Sequence, residues 1–231
     1  MKTRYLPILL LLSAVCFLLR PNVQAGELED RLTAAESVIK ETIHREIPQD
    51  LLNRCTAIAV FPKLLKGGFM VGGRFGRGII MAHDRKTGRW SSPAFFTLWG
   101  GSYGLQAGVQ SIDLVLIFMN KKGLNSLLES KVTLGADISV AAGKQGRRLE
   151  TGTDASFTAE IQSFSLSKGA FAGLSVTGAF IKQDDVANQA FYGMELSARD
   201  ILTTFDIKPP ESAKKVTVLL QEYVATPGNT K

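Results

Sequence analysis

Glycine recurs at close intervals inside stretches that otherwise read as β-strand: Gly72, Gly73, Gly76, Gly78, Gly100, Gly101, Gly104 and Gly108. A glycine inside a strand normally weakens it. It is tolerated where a sheet bends sharply, where a bulge forms, or where another backbone lies close. Repeated along consecutive strands, it points to a strongly curved sheet, closed or nearly closed on itself.

The flanking sequence supports an antiparallel arrangement. "TAIAVFP" reads as a short apolar strand stopped by Pro62, and "DRKTG", Asp84 to Gly88, as a hairpin loop. Asp113 precedes an apolar run, Leu114 to Met119, that fits a strand buried on both faces. Asn120 can cap a short helix through Leu128. In "DASFTAEIQSFSL", Ala155, Phe157, Ala159 and Ile161 alternate with Ser156, Thr158, Glu160 and Gln162, as in a half-buried strand. "SKG" at 167–169 then turns the chain back.

Both ends read as helical. Leu28, Leu32, Ala35, Ile39 and Ile43 form one stripe of a helix over Leu28 to Ile47, ended by Pro48. Its polar face mixes Glu29, Glu36, Glu41 and Glu46 with Arg31, Lys40 and Arg45. That mixture favours a helix packed on its own domain over one lying on a membrane, which is richer in Lys and Arg. "DVANQAFYG", "LSARDIL" and a last helix opening at Pro210 close the chain. The expected fold class is α+β: a strongly curved antiparallel sheet, barrel- or sandwich-like, with flanking N- and C-terminal helices.

Lys2 and Arg4 precede an apolar run, Leu6 to Leu19, and Val23-Gln24-Ala25 suits a signal peptidase. The run is shorter than the about 20 residues that a membrane span needs. Residues 1–25 are therefore expected to be a cleaved leader, 26–50 an amphipathic helix, and 51–231 the main domain with its C-terminal helices. Lys2, Arg4 and Arg20 carry three of the six net positive charges out with the leader. What remains is not a nucleic-acid-binding balance. Cys55 is the only cysteine after processing, and its apolar neighbours favour a buried thiol.

Gly100-Gly101-Ser102-Tyr103-Gly104 matches G-x-S-x-G, the turn that presents the nucleophile of many hydrolases. The match lacks its context. No helix follows, and both histidines, His44 and His83, precede Ser102 rather than follow it. "GGRFGRG" is followed by a strand, so a phosphate cradle lacks its helix N-terminus. Two histidines and one cysteine make no ordinary zinc site, and Asp184-Asp185 is an adjacent pair of the kind usually solvated. No catalytic residue, metal or cofactor is expected.

Several blocks resemble the SYLF family, also called the Ysc84-type or DUF500 domain. They are "AIAVFPKLLKGGFMVGGRFGRGI", "PAFFTLWGGSYGLQAGVQSIDLVLIFMN", "TLGADISVAAGKQGR", "GTDASFTAEIQSFSLSKGAFAGLSVTGA" and "ANQAFYG", running from about residue 47 to 193 in the family's order. The resemblance implies binding of phosphoinositides and other anionic lipids, and in some members of actin. The export signal sets this chain apart from the eukaryotic members and removes cytoplasmic actin as a normal partner. No SH3 or FYVE module accompanies the matched blocks. A periplasmic, envelope-associated or secreted lipid-binding protein is the expectation, with an envelope protein-interaction module as the alternative.

An anionic head group calls for Lys or Arg beside apolar side chains that enter the acyl boundary. Lys63 and Lys66 flank Leu64 and Leu65; Arg74 and Arg77 flank Phe75. Lys121, Lys122, Lys144, Arg147 and Arg148 complete the candidate lipid-binding set. The competing reading pairs Arg74 and Arg77 with Asp113, Asp137 or Glu160 inside the domain. Trp90 and Trp99 are expected in the core rather than at a membrane interface.

Overall fold

Two very long strands set the shape of the computed structural model, which describes residues 25–129, 131–142, 159–166 and 176–225. β1 (Ala57–Asp84) and β3 (Ala94–Phe118) pair antiparallel, from Ala57 opposite Phe118 to Ile80 opposite Ala94. The expected turn after Asp84 is present. The Gly88 N–H donates to the Asp84 carbonyl at 2.7 Å, and the chain returns as β2 (Arg89–Trp90) along the end of β1.

β1 doubles back on itself. The His83 N–H donates to the Thr56 carbonyl at 2.9 Å, so the far end of the strand meets the residue that precedes it. Where the two arms cross, side chains do not fit. A Cβ on Gly78 would stand 2.1 Å from the Val60 carbonyl oxygen, and one on Gly76 would stand 2.7 Å from Leu64 Cδ1. The ladder slips between Phe61 and Leu64 and again between Gly68 and Met70. Pro62 lies in the first slip. It does not stop the strand; having no N–H to donate, it is carried in a bulge beside Lys63, which adopts φ 50°.

The free edge of β3 carries the rest of a strongly curled, half-barrel sheet. β6 (Ile161–Leu166) pairs with Asp113–Phe118, and β7 (Ala179–Gln183) pairs with Phe96–Gly100. β4 (Val132–Thr133) lies beyond β7, and β5 (Val140–Ala142) lies beside β6. The β5–β6 pair is parallel, so the sheet is antiparallel-rich rather than antiparallel throughout. Of the alternating segment, Ala159 and Ile161 are buried and Glu160 is half-exposed; Ala155, Phe157 and the "SKG" turn lie outside the described residues.

Alternation along the strands separates two interiors. Leu114, Leu116 and Phe118 enter the inner one with Phe61, Phe96 and Ile181. The helices α3 (Lys121–Glu129) and α5 (Ala198–Thr203) close it with Leu127 and Ile201. The expected cap of α3 is made, with the Gly123 N–H donating to Asn120 Oδ1 at 3.0 Å. Val115 and Ile117 enter the outer interior with Ile58, Val60 and Phe95. There α1 (Ala25–Arg45) buries Leu28, Leu32, Ala35, Ile39 and Ile43, the expected stripe. The helix α6 (Glu211–Ala225) packs beside it with Ala213, Val216 and Leu220, and the short α2 (Gln49–Arg54) and α4 (Asp185–Tyr192) complete the layer. Thus α1 is packed on its own domain. Cys55 and Trp90 are buried, whereas Trp99 is half-buried against Phe180, their ring centroids 5.8 Å apart.

Candidate functional site

The middle of the β1–β3 ribbon is bent, with a register slip on either side of Leu64–Gly68, and strand periodicity decides what it shows. Arg74, Gly76 and Gly78 share the inner face; Phe75 and Arg77 share the outer one. Arg74 is accordingly buried, its Nη2 donating to the carbonyls of Gly101 (2.9 Å) and Thr177 (3.1 Å). It ties the ribbon to the loop before β7 and is not at the rim. Arg77 is exposed, with its guanidinium 5.7 Å from the centre of the Phe75 ring.

Leu65, Phe75 and Val109 are 51%, 46% and 79% exposed, large fractions for apolar side chains. Val109 stands opposite Gly67, two residues from Leu65 on the same face. Lys63 is exposed beside them, and its backbone N–H is held by Asp113 Oδ1 at 2.8 Å. Lys66 is half-buried on the other face. Lys121 and Lys122 are exposed at the start of α3, where Lys122 pairs with Glu160 at 3.1 Å. Glu160 also accepts from the Ser139 N–H, and that bond, then Lys122, lowers its carboxyl pKa. Lys144, Arg147 and Arg148 lie outside the described residues. Of the candidate set, Lys63 and Arg77 therefore come together, while Arg74, Lys121 and Lys122 do not join them.

What joins Lys63 and Arg77 is a cleft of about 290 Å³ between the bent ribbon and the first turns of α1. Pro62, Leu65, Phe75 and Ala34 supply its apolar walls; Glu27, Asp30 and Arg31 supply charge from the helix. Glu27 Oε1 is shared by two guanidiniums, Arg31 at 2.8 Å and Arg77. The Arg31 bond, with Arg77 behind it, holds the Glu27 carboxyl below the usual carboxylate range. Arg31 is only 8% exposed and donates Nη1 to Asp184 at 3.0 Å. Asp184 is thus not a solvated loop residue: it caps α4 through the Ala187 N–H and anchors Arg31. Arg77 pairs with Glu27, and none of Asp113, Asp137 or Glu160 takes either arginine of the "GGRFGRG" segment in the pairs described.

Sequence reasoning missed Glu27, Arg31 and Asp184. A signal for Arg31 existed. It lies beside the apolar stripe of α1, one residue from Leu32, where a charge needs a partner.

Ser102 lies mid-strand, its backbone opposite Gly72, with β3 continuing to Phe118. That is not a nucleophile elbow. His83 stacks on Trp90 at 4.6 Å and approaches the Cys55 carbonyl, while His44 is exposed against the Tyr223 hydroxyl. Burial pushes the Cys55 thiol up to about 12, far from a reactive thiolate. Among the described residues, no three His, Cys, Asp or Glu side chains could hold a metal ion. No described helix is long and apolar enough to cross a membrane.

A family model described as "Las17-binding protein actin regulator", Ysc84, matches residues 99–223. LAS seventeen-binding protein 3 of Saccharomyces cerevisiae is 38% identical over 167 residues, covering 71% of this chain and 36% of that protein. Protein YSC84 of the same yeast is 35% identical over 178 residues, covering 76% and 37%. SH3 domain-containing YSC84-like protein 1 of Mus musculus is 30% identical over 178 residues, covering 77% and 52%. The chain spans between about a third and a half of the length of these relatives.

Proposed function

The chain belongs to the Ysc84 (SYLF) family, and from that premise we propose that it is a non-enzymatic binding protein of the bacterial envelope that docks on anionic lipid surfaces. One observation carries the reading. The bent ribbon presents Leu65, Phe75 and Val109 to solvent beside Lys63 and Arg77. Apolar side chains that enter the acyl boundary, with cations at head-group level, are what a reversible membrane contact needs. Each cation near an anionic surface contributes about 1 kcal/mol. The leader-like start, Lys2 to Ala25, supports an exported location.

Vesicle flotation of the purified protein tests this reading. More protein should float with phosphatidylglycerol vesicles than with phosphatidylcholine vesicles, and added salt should narrow the gap. A Leu65→Ser, Phe75→Ser double variant should lose flotation with an unchanged circular dichroism spectrum. Equal recovery with both vesicles would count against an anionic-surface function.

A second reading, a protein-interaction module, is favoured by the family model's description, a Las17-binding actin regulator, and by the name of the yeast relative LAS seventeen-binding protein 3. Co-sedimentation with filamentous actin, in a protein that floats with neither vesicle, would support it.

A further inference from the structure

We infer that the cleft between α1 and the bent ribbon is a binding site for one phosphate-bearing amphiphile, and that Glu27 is a built-in occupant that the phosphate displaces. The inference deepens the membrane-surface reading and rests on it for the source of the ligand, a phospholipid head group that ends in a monoester phosphate.

The cleft has the two chemistries that such a ligand has. Leu65 and Phe75, both about half exposed, line it together with Pro62 and Ala34, a surface for the first part of an acyl chain. Lys63, Arg77 and Arg31 bring three cations to the same space, against Glu27 and Asp30. The donors outnumber what Glu27 accepts. Both guanidiniums meet one carboxylate oxygen, Oε1, and the Arg31 Nε, itself buried, has no hydrogen-bond partner. A phosphate monoester has three terminal acceptor oxygens where Glu27 offers two, and is the better match to a pair of guanidiniums.

The two ends of this arrangement differ in mobility. Arg31 is buried and held from behind by Asp184, so it stays in place. Glu27 and Arg77 are 41% and 48% exposed in their side chains, so Glu27 can swing out without disturbing a core. Lys63 is held at the cleft by its bulge, with its N–H fixed on Asp113. An arriving phosphate therefore takes the place of Glu27 between Arg31 and Arg77, with Lys63 at the same cleft, and the carboxylate turns to water.

Dodecyl phosphate as a soluble monomer is the probe, titrated calorimetrically into the wild type and variants. Glu27→Gln keeps the shape and removes the competing charge, so it should bind about three- to fivefold more tightly, the scale of one exposed ion pair. Arg77→Gln should bind more weakly. If that variant fails to fold, Lys63→Asn replaces it, since asparagine tolerates the positive φ at this position. Lys121→Gln, outside the cleft, should bind as the wild type does. Equal affinity of the wild type and Glu27→Gln, or binding unaffected in the folded Arg77 or Lys63 variant, overturns the inference. The flotation assay separates the two levels. Anionic-vesicle binding without a Glu27 effect leaves the membrane reading and removes this site. A Glu27 effect on the monomer without flotation keeps the site and removes the membrane as its source.

Discussion

His83 shows how much a single side chain can report. It is buried, stacked on Trp90, with Nδ1 3.2 Å from the Cys55 carbonyl oxygen. A carbonyl only accepts, so Nδ1 is assigned the proton of the neutral ring, and the buried Nε2 is left without a partner. Burial lowers the pKa of this group below its ordinary value. The sign follows. Well above the ordinary histidine pKa of about 6.5 the ring is neutral in both the folded and unfolded chain, and stability is full. As pH falls, the unfolded chain takes up a proton that the folded one refuses, and stability drops by up to about 1.4 kcal/mol per pH unit. Urea midpoints should therefore fall between about pH 7 and pH 5. In His83→Leu, which loses the Nδ1 bond and starts from a lower stability, that slope should flatten. An unchanged slope would assign it elsewhere.

At the scale of the element, the long strand β1 is legible only in part. Its glycines announce strong curvature, and that is what the sheet has. They do not announce one strand crossing itself, because the partner of Gly78 lies 18 residues earlier in the chain and no local pattern encodes that contact. Pro62 reads locally as a stop, whereas pairing with β3 on either side carries the strand through it. The crossing makes a sharp comparison. Gly78→Ala puts a methyl against the Val60 backbone, which cannot yield, and should cost more than about 2 kcal/mol in chemical denaturation. Gly101→Ala has no atom within 4 Å of the new Cβ and should change stability by no more than about 0.5 kcal/mol. Similar costs for the two would mean that the inner faces do not meet as described. The site divides in the same way. The period of two puts Phe75 and Arg77 on one face and Arg74 on the other, which could be read from "GGRFGRG" alone; that the Phe75 face points outward could not. The arrival of Glu27 and Arg31 from a helix some 50 residues away could not.

For the whole molecule, the decisive arrangement is that one strand feeds both interiors. Leu114, Leu116 and Phe118 belong to one, and Val115 and Ile117 to the other. Neither layer can separate from the sheet without exposing that strand. Heating should thus give a single transition whose calorimetric and van't Hoff enthalpies agree. Leu116→Ala and Ile117→Ala should each lower the same transition, by about 2–5 kcal/mol. A variant that splits the trace into two steps would show two independent layers. The buried run itself is visible in the sequence as uninterrupted apolar residues; which helices cover each side is not, since only tertiary packing assigns them.

The same strand also governs where the chain can change length. One residue gained or lost within Leu114–Phe118 would send every neighbour to the opposite layer at once, a change that no local repacking could absorb. The slip after Phe61 already accommodates one extra residue on β1, and the slip after Gly68 two on β3. Insertions and deletions can accumulate there, in the bent ribbon, while the buried run keeps its length.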